Sequence, residues 1–115
     1  MSAAAKGVHH WKVQRITSIA LIPFSVWFVI SLLALPAHDY TTVVTWMSQK
    51  WTTALLMIFI ALAAWHSHLG AQVVLEDYVE DGKRVFWITV SRIAHLFGAC
   101  VAIFAVYHVA FGSRG

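Results

Sequence analysis

A chain of 115 residues is short enough to be one domain, yet 60% of it is hydrophobic and only 11% is charged, with a mean hydropathy of +0.73. Soluble domains carry about 25% charged residues, and one this small lacks the interior to hide so many apolar side chains, so water is excluded as the solvent of most of its surface. The formal charge of +3 does not point to nucleic acid, because Lys and Arg stand singly at the ends of apolar runs and form no stripe.

Three apolar runs follow in chain order. The first, 16–35, holds no charge and matches the thickness of a bilayer core at about 1.5 Å per residue. Pro23 is expected to kink it, and Pro36 to end it. Lys6, Lys12 and Arg15 before this run give it the look of a signal peptide, but it exceeds the roughly 7–15 residues of a signal core and is expected to be a retained helix. The second run, 52–75, opens after Trp51 and closes at Glu76-Asp77. The third, 85–111, contains one charge, Arg92. All three pass the roughly 18-residue threshold for a membrane span. The expected fold is an all-α membrane protein, residues 1–115 forming a single anchor-like domain with three transmembrane helices.

Charge orients the bundle. Lys6, Lys12, Arg15, Lys83 and Arg84 flank one side, with Arg92 leaning toward it, and Lys50 and Arg114 mark the other. The positive-inside rule then places the N-terminus and the 76–84 loop in the cytoplasm and the C-terminus on the opposite side. Trp11, Trp46, Trp51 and Trp87 fall at the expected interfaces. Glu76, Asp77, Glu80 and Asp81 crowd the 76–84 loop, which marks it as a candidate site. No Arg/Ser-rich transit segment precedes the first run, so the membrane is expected to be a bacterial inner membrane.

Ionisable groups within a span are functional candidates by default. The second run carries His66, His68 and Gln72, and the third carries Arg92, His95 and His108. His66 lies about 13–14 Å inside its helix end, a depth that suits either a heme ligand or an interhelical hydrogen bond. Gly70, four residues on, shares its face and removes the side chain that would obstruct a planar macrocycle. His68 points about 200° away from His66, so the two cannot share one iron; it is expected to face a partner or a cofactor pocket. His95 is expected in an interhelical hydrogen bond, or as a second ligand, and His108 is expected to be solvated. The single cysteine, Cys100, is expected to be a buried, inert thiol. HExxH, CxxC and glycine-rich phosphate loops do not occur in the sequence, so hydrolysis and nucleotide binding have no residues to act through.

The stretch His66-Ser67-His68-Leu69-Gly70-Ala71-Gln72-Val73-Val74-Leu75-Glu76-Asp77-Tyr78-Val79 resembles the second-helix signature of the small hydrophobic membrane anchors of succinate dehydrogenases. Gly7-Val8-His9, leading through Arg15 and Thr17 into the first run, resembles the same family's N-terminus. His68 stands where some members carry an aromatic residue. The resemblance implies that His66 is an axial ligand of heme b, the other coming from a second, larger cytochrome b anchor. It implies that Tyr78, with Asp77 beside it, lines a ubiquinone-reduction site, and that Arg15 lies near the heme propionates. Two extrinsic partners, an iron–sulfur protein and a flavoprotein, would carry the iron–sulfur clusters and FAD, and the chain alone would have no activity. Without the motif, Asp77-Tyr78 reads as a helix end with an interfacial aromatic. Two alternatives stay open: a non-catalytic three-helix assembly or transport subunit without heme, and a free-standing cytochrome b in which His95 or His108 supplies the second ligand.

Overall fold

The computed structural model describes residues 2–112; Arg114, one of the basic residues used to orient the chain, lies outside the described residues. Four helices appear: α1 (Ala3–Leu33), α2 (Tyr40–Ser48), α3 (Lys50–Tyr78) and α4 (Asp81–Gly112). Three of them, α1, α3 and α4, are long and apolar enough to cross a membrane. They correspond to the three runs, with shifted ends.

The first helix starts well before residue 16. Ala3, Ala4, Ala5 and Lys6 are strong helix formers, and the Ser2 hydroxyl caps them by accepting the Ala5 N–H at 3.1 Å. At 31 residues, α1 is longer than the roughly 20 that a hydrocarbon core requires, so its first turns project beyond that layer. It ends at Leu33 rather than at Leu35, because the residue before a proline avoids the helical region. Pro23 sits inside it.

The segment between the first two runs is not simply a loop. Residues 40–48 form α2, begun at Asp39, whose carboxylate accepts a hydrogen bond from the Thr42 hydroxyl. Trp46 holds α2 against α1, its ring 6.1 Å from Trp27 and 6.2 Å from Phe28. The Thr53 hydroxyl, in the first turn of α3, donates to Met47 O at 2.6 Å.

The expected 76–84 loop shrinks to Val79 and Glu80. Glu76 and Asp77 therefore occupy the last turn of α3, and Asp81 the first turn of α4. Asp81 complements the positive end of its helix, whereas Glu76 and Asp77 lie at a negative end that disfavours them. The Arg84 guanidinium closes the turn, pairing with Asp81 at 2.8 Å and donating to Val79 O at 3.3 Å.

In the packing, α3 is central, with α1 and α4 beside it and no approach of α1 to α4. The described interior is half polar: Leu56, Leu69, Val106 and Ala110 are buried, and so are Thr17, Thr52, Thr53 and His68. Valine, isoleucine, phenylalanine and tryptophan lead among the exposed large apolar side chains. This inverts the soluble pattern for a physical reason. Lipid solvates apolar side chains as well as a core does, so polar groups are what gain most from facing one another.

Candidate functional site

The face of α1 turned to α3 repeats at helical spacing through His10, Gln14, Thr17, Phe24 and Phe28, and its character changes along the helix. At the far end Phe59 of α3 packs on Phe24 (6.3 Å between centroids) and Phe28 (5.5 Å). Toward the other end the contact becomes polar. Thr17, 7% exposed, places its Oγ1 2.9 Å from His66 Nδ1. Closer still to the start of α1, His10 Nε2 and Gln14 Oε1 are buried without a hydrogen-bond partner.

His66 is thus tethered by one ring nitrogen and is half-buried. On α3, His66, Gly70, Val73 and Asp77 fall within an arc of about 60° around the helix axis, forming one stripe. A Cβ built on Gly70 meets nothing within 4 Å, so the stripe is open on the outside of this chain beside His66. Val73 and Asp77 on the same stripe are exposed. Tyr78, the last residue of α3, is 85% exposed, about 18 Å along the axis from His66 and about 120° around it. The phenol and the histidine are therefore not in contact; one continuous helix holds them at two depths.

Arg15 is two residues before Thr17, so it points about 200° away from the α1–α3 contact. It is exposed, with its guanidinium 5.5 Å from the Trp11 ring centroid. Arg15 and His66 are not brought together within this chain. Gln72 donates to the Glu76 carboxylate at 2.9 Å, which gives one of the two acids at the disfavoured end of α3 a local partner.

Two expectations are corrected. His68 does not face outward: it is 1% exposed, wedged between α3 and α4, with Nδ1 3.3 Å from Ser91 Oγ and its ring against Trp65 and His95. Its Nε2 is buried without a hydrogen-bond partner, and with Arg92, His95 and Cys100 it lines a cavity of about 220 Å³. Cys100 is exposed rather than buried, at the rim of the same cavity. His95 has both nitrogens engaged, Nδ1 with Ser91 O at 2.8 Å and Nε2 with Ser67 Oγ at 3.1 Å. That bears out the interhelical hydrogen bond. His108 is exposed, its ring 6.1 Å from Phe104. Among the described residues there is no cluster of three or more His, Cys, Asp or Glu able to hold a metal ion.

Outside the spans, the Thr42 hydroxyl beside Asp39 holds that carboxyl below its usual range, against a smaller opposing effect of desolvation.

Residues 1–98 match the family described as succinate dehydrogenase/fumarate reductase transmembrane subunit. Similar curated proteins include the succinate dehydrogenase hydrophobic membrane anchor subunits of Rickettsia felis (32% identical, covering 100% of this chain and 92% of the relative) and Rickettsia conorii (32% identical, 98% and 87%). The corresponding protein of Rickettsia bellii is 35% identical over 70% of this chain and 65% of its own. No solved structure gives a significant match.

Proposed function

Because this chain belongs to the family of succinate dehydrogenase/fumarate reductase transmembrane subunits, a multi-pass anchor of the bacterial inner membrane that assembles with the other subunits of such a complex, we propose that it binds heme b through His66 and helps form the site where ubiquinone is reduced. The observation that carries this is the α3 stripe: a histidine fixed by one nitrogen, a glycine beside which a Cβ would meet nothing within 4 Å, and Asp77 at the helix end.

The donor set fits heme. A neutral imidazole is a common axial ligand, and the missing Cβ at Gly70 leaves room for a flat group beside it. His68 points about 200° away from His66 around α3, so in this reading the second ligand comes from a larger cytochrome b anchor. When bound, heme b would supply a one-electron redox centre within the bilayer. Arg15 is a cation without an acidic partner among the described residues, available to heme propionates once that larger anchor is in place.

The Tyr78 hydroxyl donates a hydrogen bond to a quinone carbonyl, and Asp77 holds or relays a proton at the wet boundary, since quinone reduction takes up two protons with two electrons. Both are exposed here, as residues completed by neighbouring chains would be. The extrinsic iron–sulfur protein and flavoprotein would deliver electrons from succinate at the cytoplasmic side, the side that the positive-inside rule gives to the basic flanks of α1 and α4.

The test is made on the purified complex. His66→Ala is expected to abolish the b-type reduced-minus-oxidised bands. Tyr78→Phe is expected to lower succinate:quinone reductase activity at least about ten-fold while succinate oxidation with an artificial dye is retained. Unchanged heme bands in the first variant, or unchanged quinone reduction in the second, would remove the corresponding assignment.

A further inference from the structure

We propose that Thr17 is the positioning residue for His66: its hydroxyl oxygen accepts the Nδ1–H of the imidazole and so holds the ring in the tautomer whose Nε2 lone pair is free for iron. The inference rests on the heme assignment above and concerns a residue on a different helix from the ligand.

The argument is a count of protons. A threonine hydroxyl has one hydrogen and two acceptor lone pairs. Thr17 Oγ1 lies 2.8 Å from Val13 O and 3.0 Å from Gln14 O. Both are carbonyls and can only accept, so the hydroxyl hydrogen is committed to them. Turning it toward His66 would leave two close oxygen–oxygen contacts with no hydrogen between them. Toward His66 Nδ1, at 2.9 Å, the hydroxyl therefore acts as acceptor, and Nδ1 carries the ring hydrogen. In a neutral imidazole that leaves Nε2 as the bare nitrogen.

Burial makes this arrangement durable. Thr17 is 7% exposed, so water does not replace the contact. It also ties the ring to a second helix, so the imidazole plane is set by α1 packing on α3 rather than by a free side-chain torsion. Hydrogen bonding at the distal nitrogen of a ligating histidine orients the ring and raises its basicity, and its loss typically weakens metal binding about 10- to 100-fold. Unlike a carboxylate, a neutral hydroxyl orients the ring without adding a charge beside it.

In the assembled complex, Thr17→Val keeps the volume and removes the acceptor, while Thr17→Ser keeps the acceptor. Thr17→Val is expected to raise the heme dissociation constant about 10- to 100-fold and to alter the midpoint potential and low-spin EPR signal of the b heme, with Thr17→Ser close to the parent in all three. If the valine variant does not assemble, Thr17→Cys, a poor acceptor of similar size, is measured in its place with the same expectation. Heme affinity, potential and EPR signal all unchanged in the acceptor-free variant would overturn the proposal while His66→Ala still loses heme. Heme retained in His66→Ala would instead overturn the ligand assignment beneath it.

Discussion

Two histidines two residues apart on α3 have opposite surroundings, and the difference can be measured. His66 is half-buried at an open face, whereas His68 is enclosed against Ser91, Trp65 and His95. Truncating His68 removes packing and leaves Ser91 with one partner fewer, so His68→Ala is expected to destabilise the fold by about 2 kcal/mol. His66→Ala is expected to cost less fold stability while removing heme. Thermal unfolding of the two variants in detergent, followed by circular dichroism, distinguishes them; equal losses would mean that the two side chains are equally structural. The opposed directions of these histidines were legible in their spacing. Which of the two turned inward was not, because the choice depends on where α4 docks. The Thr17–His66 contact was equally hidden: its partners are separated by 49 positions, and no local pattern marks a threonine as a hydrogen-bond acceptor.

At the scale of the elements, the three long helices were legible because each must carry a lipid-thick apolar run. Their ends were less so. The α3–α4 loop collapsed to two residues because good helix formers such as Leu75 and Glu76 continue the helix past the apolar boundary. The short α2 escaped notice since nine residues contain little more than two turns of periodicity. Its start is expected to respond to acid. Asp39 has its carboxyl lowered below 3.8 in the folded chain, chiefly by the Thr42 hydroxyl. A depressed carboxyl contributes stability that is complete above its unfolded value and lost as the pH falls through the lower folded value. Because Asp39 is exposed, the contribution is small and local. Hydrogen-exchange protection of α2, corrected for intrinsic rates, is expected to stay level from neutral pH to about 5 and to decline below 3.8. Asp39→Asn is expected to flatten that decline; an identical acid profile would assign it to another group.

For the whole molecule, the start of α1 and the α3–α4 turn share one end, while α2 and the start of α3 share the other. In a variant with Cys100 replaced by Ser, single cysteines at Ala4 and at His38 are therefore expected to react with an impermeant maleimide from opposite sides of the membrane. The cysteine at position 4 is expected to react from the cytoplasmic side. Labelling of both from one side would refute the orientation, which was argued from Lys and Arg placement alone.

The shortness of the α3–α4 connection also bears on how the chain enters a membrane. Ser67 pairs with His95, and His68 with Ser91, across the two helices, and a lone α3 or α4 would present those groups to hydrocarbon without these partners, which is costly. With only Val79 and Glu80 between them, the two segments can meet as soon as the second is synthesised. The polar seam thus favours release from the translocation channel as a pre-formed hairpin, while α1, with its largely apolar surface, is able to partition into lipid first and wait for its partner.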